Sequence, residues 1–248
     1  MEPELPFDPI LRSAEIEDLV MHEDTRLYYR FRASRFYGGI ATADTVGCSF
    51  LCAYCWNHDR NLHPDRYRTF YPPQEVGSKL LNVADSRSLS LFRVSGSEPI
   101  LGQASFEHIL RIIRTLARFR PDSRFILETN GFYLGANPEL IVLLRIPNIR
   151  VRVSLKGIDE KSFAKVTGAQ RDYFFYPLAA LCELEKQGVY AWPALMEDLF
   201  SEKEIAEFQN LLAANGIRRQ LELESLQAYP HVLRNLEERR LRIKTKPR

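Results

Sequence analysis

Apolar, β-branched runs recur along the chain near residues 39–47, 88–95, 125–130, 150–156, 189–196 and 220–226. Between them the spacing turns helical. Phe106, Ile109, Leu110, Ile113 and Leu116 fall on one stripe of a helix, the period expected of an element with one buried face. Ser201, followed three residues later by Glu204, opens another helix as a capping box ahead of Ile205, Phe208, Leu211 and Leu212. Pro72-Pro73 and Gly102 act as breakers before helices. Strands alternating with helices predict an α/β fold with parallel pairing and right-handed crossovers. Six units rather than eight predict a partial (β/α)6 parallel barrel. The chemistry of such a fold sits in the loops at the C-terminal ends of the strands. We therefore expect three parts: a helical extension over 1–36, the barrel over 37–230, and a basic tail over 231–248.

Composition narrows the class. The chain has 248 residues, of which 45% are hydrophobic and 27% charged, enough to bury one large core. A net charge of +2 does not argue for nucleic acid as an obligatory partner. The start is acidic (Glu4, Asp8, Glu15, Glu17, Asp18) and the finish basic (Arg239, Arg240, Arg242, Lys244, Lys246, Arg248). The tail is expected to be solvated. The longest apolar run, Leu140 to Leu144, is far short of a bilayer span. With no basic-then-apolar leader in view, a cytoplasmic location is expected, without a membrane partner.

Three of the four cysteines fall within eight positions. Cys48, Cys52 and Cys55 stand in the spacing C-x3-C-x2-C at the end of the first expected strand, and Cys182 is far away in an apolar helical run. A tight cluster of this kind reads as metal-binding rather than as a disulfide framework. Three thiolates hold three corners of a cubane, which normally takes four. With no fourth cysteine nearby, one iron would stay open to an external ligand. The competing reading is zinc, with His58 or His63 completing a Cys3His shell. Cys182 reads as a buried, inert thiol.

The cysteine loop, with Tyr54 before its last cysteine, resembles the signature of the radical S-adenosylmethionine (SAM) enzymes. The resemblance implies a [4Fe-4S] cluster on Cys48, Cys52 and Cys55. It also implies that SAM chelates the open iron and is cleaved, on one-electron reduction, to methionine and a 5′-deoxyadenosyl radical. Tyr54 would touch adenine or pack beneath the loop. Gly96-Ser97-Glu98-Pro99 resembles the family's Gly-Gly-Glu-Pro motif, which holds the methionine amino group. Ser97 replaces the second glycine, and Glu98 is suited to pair with an ammonium. Glu128-Thr129-Asn130-Gly131 resembles a segment of the branch that activates glycyl radical enzymes. It also suits an ordinary strand exit.

On the fourth strand Arg150, Arg152, Ser154 and Lys156 share one face, and Val151, Val153 and Leu155 the other. The polar face is expected inside the barrel, where buried cations need partners. For Arg152 or Lys156 that partner is the SAM carboxylate, Glu128, or a substrate acid or phosphate. Ser154 departs from the aspartate of the activating branch's Asp-Leu-Lys. Glu222 and Glu224 complement the lumen arginines or bind substrate. Trp192 and Met196 share a face, with core packing expected.

The nearest branch resembles the small, single-cluster activating enzymes of the pyruvate formate-lyase type. That implies hydrogen abstraction from a glycyl residue of a partner protein, with flavodoxin or ferredoxin as electron donor. A second reading keeps the chemistry and takes a small anionic substrate, as carboxy-deazaguanine synthases do; the basic lumen leans that way. A third is a zinc-stabilised nucleic-acid-binding module. No individual catalytic residue is singled out.

Overall fold

The computed structural model describes residues 3–244. After a helix, Pro9–Val20, the chain departs from the expected helical extension. Met21–His22 (β1) turns back into a ten-residue strand, Thr25–Ser34 (β2), which runs antiparallel to Ile40–Thr45 (β3). Arginines at 26, 30 and 32 hide this strand in the sequence. Two of them are answered by one buried acid: the Nε atoms of Arg30 and Arg32 each lie 2.7 Å from Asp44 Oδ2. Phe70–Tyr71 (β4) adds a short pairing to β2.

The remaining strands are Leu91–Ser95 (β5), Arg124–Thr129 (β6), Ile149–Leu155 (β7), Ala191–Met196 (β8) and Glu222–Glu224 (β9). β5 pairs in parallel with β3, and each later strand with the one before it, giving the order β1-β2-β3-β5-β6-β7-β8-β9. All six expected parallel strands are present. The sheet is not closed, because β1 and β9 lie at opposite ends of that order.

Helices cover the outer face. Gln103–Phe119 buries Phe106, Ile109, Leu110, Ile113 and Leu116, the predicted stripe. Each such side chain contributes about 1.5–3 kcal/mol on leaving water. Glu202–Ala214 opens with the predicted box: Ser201 N–H donates to Glu204 Oε2 at 2.8 Å, and Glu204 N–H to Ser201 Oγ at 3.4 Å. Cys182 is only partly buried, packed against the core, with its thiol 3.3 Å from the Asn215 carbonyl. Among the described residues no helix is long and apolar enough to cross a membrane.

The tail is not simply solvated. Pro230–Glu238 is a helix that buries Val232 and Leu236. Arg239 Nη2 donates to the Leu51 carbonyl at 3.2 Å, and Lys244 pairs with Glu204 at 2.6 Å. Lys246 and Arg248 lie outside the described residues.

One buried histidine sets a pH response. His108 Nδ1–H donates to the Asp24 carbonyl at 2.9 Å, so Nε2 accepts from the Tyr28 hydroxyl at 3.1 Å. Burial lowers its pKa from 6.5 to about 4. The unfolded chain therefore binds more protons than the native one between these values, and stability falls as pH drops through that window. The full loss is about 3 kcal/mol. Denaturant midpoints measured across this range should fall steadily for the native chain and less steeply for His108→Gln.

Candidate functional site

The cysteine loop starts where β3 ends. Gly47 turns the chain there at φ +88°, and a Cβ on it would lie 2.6 Å from Ile16 Cγ2, so the N-terminal helix packs directly against the turn. The loop is then pinned to its surroundings. Leu51 N–H donates to Thr167 O at 3.0 Å and Ala53 N–H to Val166 O at 2.9 Å. Phe50 packs between Phe132 and Phe163, tilted against the first ring and edge-on to the second. Cys48, Cys52 and Cys55 are thus presented from a fixed backbone.

Burial pushes the Cys48 and Cys52 thiols up to about 12 and Cys55 up to about 11. The charge of Cys52 adds to the shift of Cys48, that of Cys55 to Cys52, and that of Cys48 to Cys55. Lys156 opposes the shift at Cys52, and Arg12 at Cys48. Three thiols crowded in this way ionise only if a metal takes their charge. Donors already face the sulfurs: Phe50 N–H to Cys48 at 3.4 Å and Asn61 Nδ2 to Cys55 at 3.5 Å. Such bonds are the usual tuning shell of an iron–sulfur cluster. The compact C-x3-C-x2-C spacing and the donors already facing the sulfurs fit a cubane held by three thiolates.

Facing them is the loop after β5. Gly96 adopts φ +87°, where a Cβ would meet the Thr45 carbonyl at 3.0 Å. Asn57 Nδ2 donates to the Gly96 carbonyl and to Ser97 Oγ, the latter at 3.1 Å. Arg26, fully buried, reaches this loop from behind: Nη2 donates to Glu98 O at 2.7 Å and Nη1 to Pro99 O at 2.9 Å. The Glu98 carboxylate is buried and engaged within the protein. It accepts from Thr129 Oγ1 and Asn130 N–H, each at 2.6 Å, and from Ile100 N–H at 3.0 Å. The ladder between β5 and β6 ends at Phe92 and Phe125, so Glu98 ties the two strands across the gap above. Burial pushes its pKa up to about 7 against those three bonds. Asn130 also donates to Ser49 Oγ at 3.0 Å, joining the 128–131 segment to the cysteine loop.

The β7 face is as expected. Val151, Val153 and Leu155 are buried, and Val153 meets the helix layer near Pro177 and Ala180. Arg152 finds its partners within the protein, Glu224 at 2.8 Å and Glu222 at 3.1 Å, and donates to Ser154 Oγ at 3.0 Å. Glu128 instead pairs with Arg93 at 2.6 Å and accepts from the Tyr37 hydroxyl at 2.9 Å and Ser95 Oγ at 3.1 Å. Trp192 donates to Glu222, so it lines the lumen rather than the core, while Met196 is buried. Lys156 lies 5.6 Å from the centre of the Tyr54 ring. Burial works against its charge, and Tyr54, Cys52 and Glu224 more than restore it, so its pKa stays above the usual range. Arg26, Tyr37, Asn57, Asn61, Arg93 and Arg239 join the site without having been foreseen. Only Asn57, two residues past the last cysteine, carried a positional signal.

The comparisons with known proteins agree with this geometry. A family model described as the Radical SAM superfamily matches residues 43–190. A GTP 3′,8-cyclase of Nautilia profundicola is 27% identical over 207 residues, covering 79% of this chain and 59% of that protein. GTP 3′,8-cyclase 2 of Mycobacterium tuberculosis is 30% identical over 146 residues, covering 58% of this chain and 38% of that protein. The chain thus spans about a third to three fifths of the length of these curated relatives. Among solved structures, SuiB of Streptococcus suis superposes with a TM-score of 0.59 at 15% identity, over 81% of this chain and 40% of that one. Spore photoproduct lyase with bound AdoMet gives 0.58 at 15%, over 81% and 60%. These neighbours share the fold. The activity in the relatives' names differs from the glycyl-radical activation that the resemblance implied.

Proposed function

Because the chain belongs to the radical SAM superfamily, and so is an enzyme that uses a [4Fe-4S] cluster and SAM, we propose that its substrate is a small anionic molecule held at the mouth of the barrel, from which hydrogen is abstracted. When bound, the cluster and SAM supply the electron transfer and the radical. The protein supplies position and charge. Cys48, Cys52 and Cys55 hold the metal, and the 96–99 loop and the 128–131 segment form the facing wall. A zinc-stabilised nucleic-acid module is set aside by the family membership.

The observation that carries the substrate class is Lys156. It stands half-buried just past the C-terminal end of β7, held protonated beside Tyr54 and Cys52. Among the described residues no carboxylate lies within ion-pair distance of it, whereas Arg152 and Arg93 are paired. A half-buried cation with no carboxylate at ion-pair distance favours an anion. The relatives named GTP 3′,8-cyclase support the same class. Flavodoxin or ferredoxin is proposed as the source of the electron.

The test is anaerobic turnover with dithionite and SAM, adding in turn GTP, a pterin carboxylate and a glycyl radical enzyme of the pyruvate formate-lyase type. GTP or the pterin is expected to raise 5′-deoxyadenosine release, with deuterium moving from labelled substrate into the product. Stimulation by the protein alone would return the function to glycyl-radical activation, which retains the Glu128-Thr129-Asn130-Gly131 segment as its support.

A further inference from the structure

The two ends of the barrel lumen are charged for different purposes. One layer below the mouth, Arg93 and Arg152 are neutralised by Glu128, Glu222 and Glu224. At the floor, where β6, β7 and β8 begin, Arg124, Arg150 and Arg219 surround a cavity of about 570 Å³. None of these three meets a carboxylate among the described residues. Two are held by an aromatic ring instead. The guanidinium carbon of Arg219 lies 4.1 Å from the centre of Tyr190, and that of Arg150 lies 4.7 Å from it.

That arrangement has a chemical consequence. A guanidinium stacked on a ring keeps its N–H edge free, and that edge matches phosphate oxygens two at a time. Three cations around one cavity, none paired with a carboxylate among the described residues, raise its affinity for a polyanion. The volume suits a small molecule rather than a single ion. Tyr37 and Trp192 complete the wall, and the bond from Trp192 to Glu222 fixes its indole. The cavity is remote from the mouth: Arg150 and Leu155 stand five residues apart on β7, about 16 Å at the usual rise.

We propose that this floor cavity is a second ligand site, for a phosphorylated small molecule such as a nucleotide or a polyphosphate. It stands independently of the substrate proposed for the mouth. Arg124, Arg150 and Arg219 hold the phosphates, and the aromatic wall offers a face to a planar base.

Isothermal titration of the reconstituted full chain with inorganic tripolyphosphate, and separately with ATP, tests this. One molecule of each is expected to bind, less tightly as salt rises. Affinity should fall at least about tenfold in Arg124→Gln/Arg219→Gln, the loss expected when charge-assisted phosphate bonds are removed. Both positions are exposed, so melting temperature and SAM cleavage should not change. Arg171→Gln, at an exposed position elsewhere, should leave binding intact. Equal affinity for the two probes assigns the site to the phosphate chain, and tighter binding of ATP adds the base; either supports the proposal. No binding by the native chain at millimolar probe, or binding unaltered in the double variant, overturns it.

Discussion

Cys48→Ala, Cys52→Ala and Cys55→Ala are each expected to abolish 5′-deoxyadenosine formation while leaving a folded chain. Each thiolate would hold a separate iron, so the loss of any one opens a corner of the cluster. The thiols are already buried and crowded, with burial and mutual charge holding their pKa values at about 11 to 12. Removing one relieves repulsion but removes a corner of the metal site. The loop should survive the change. Its bonds to Thr167 and Val166 are made by backbone, and its packing by Phe50. Iron and sulfide analysis after anaerobic reconstitution, dithionite reduction with SAM, and a melting curve check all three points. Cys182→Ala is the control, since Cys182 lies on the helix Phe175–Lys186, where its thiol bonds to the Asn215 carbonyl. A colourless native chain that retains one zinc and forms no 5′-deoxyadenosine would overturn the metal assignment. It would leave the crowding of the three cysteines in need of another cause.

Much of this architecture was legible because the parallel strands pack one apolar face against the helix layer. Val151, Val153 and Leu155 leave an unbroken alternation in the sequence, and the cysteine spacing is compact enough to read without the fold. What escaped notice had polar side chains in apolar surroundings. The strand Thr25–Ser34 carries three arginines, and its partner acid, Asp44, lies on another strand. Pattern alone cannot see a charge that is neutralised by a residue distant in sequence. The same limit explains Glu98. Its bonds to Thr129 and Asn130 arise at the gap between β5 and β6, which the motif's spacing does not show. Arg152 was recognised as a lumen cation needing an anion. Its pairing with Glu222 and Glu224 rests on the register of β7, β8 and β9, which only the sheet defines.

Arg26→Met is expected to cause the largest loss of stability among single substitutions near the site. Arg26 has no exposed surface. Its fork donates to the carbonyls of Glu98 and Pro99, and its Nε donates to Thr45 Oγ1 at 3.0 Å. Burial lowers its pKa, and the nearby charges of Glu17, Glu98 and Cys48 oppose that shift. Methionine fills much of the volume but leaves two buried carbonyls without a donor, at a cost of about 1–3 kcal/mol each. Thr45 is less affected, because its hydroxyl already donates to Leu27 O at 2.7 Å. A total loss of about 3–5 kcal/mol corresponds to a fall in melting temperature on the order of 10 °C for a chain of this size. Lysine cannot span both carbonyls with one ammonium, so Arg26→Lys should fall between the two. The loop that Arg26 fixes is the wall opposite the cysteines. Where the variants remain folded, SAM affinity should therefore weaken in the same order as stability: native, then lysine, then methionine. Melting curves and equilibrium binding of SAM to the reconstituted protein measure the two quantities separately. A methionine variant as stable as the native chain would show that the two carbonyls find other donors. A stable order with unchanged SAM affinity would show that the wall holds its shape without the arginine behind it.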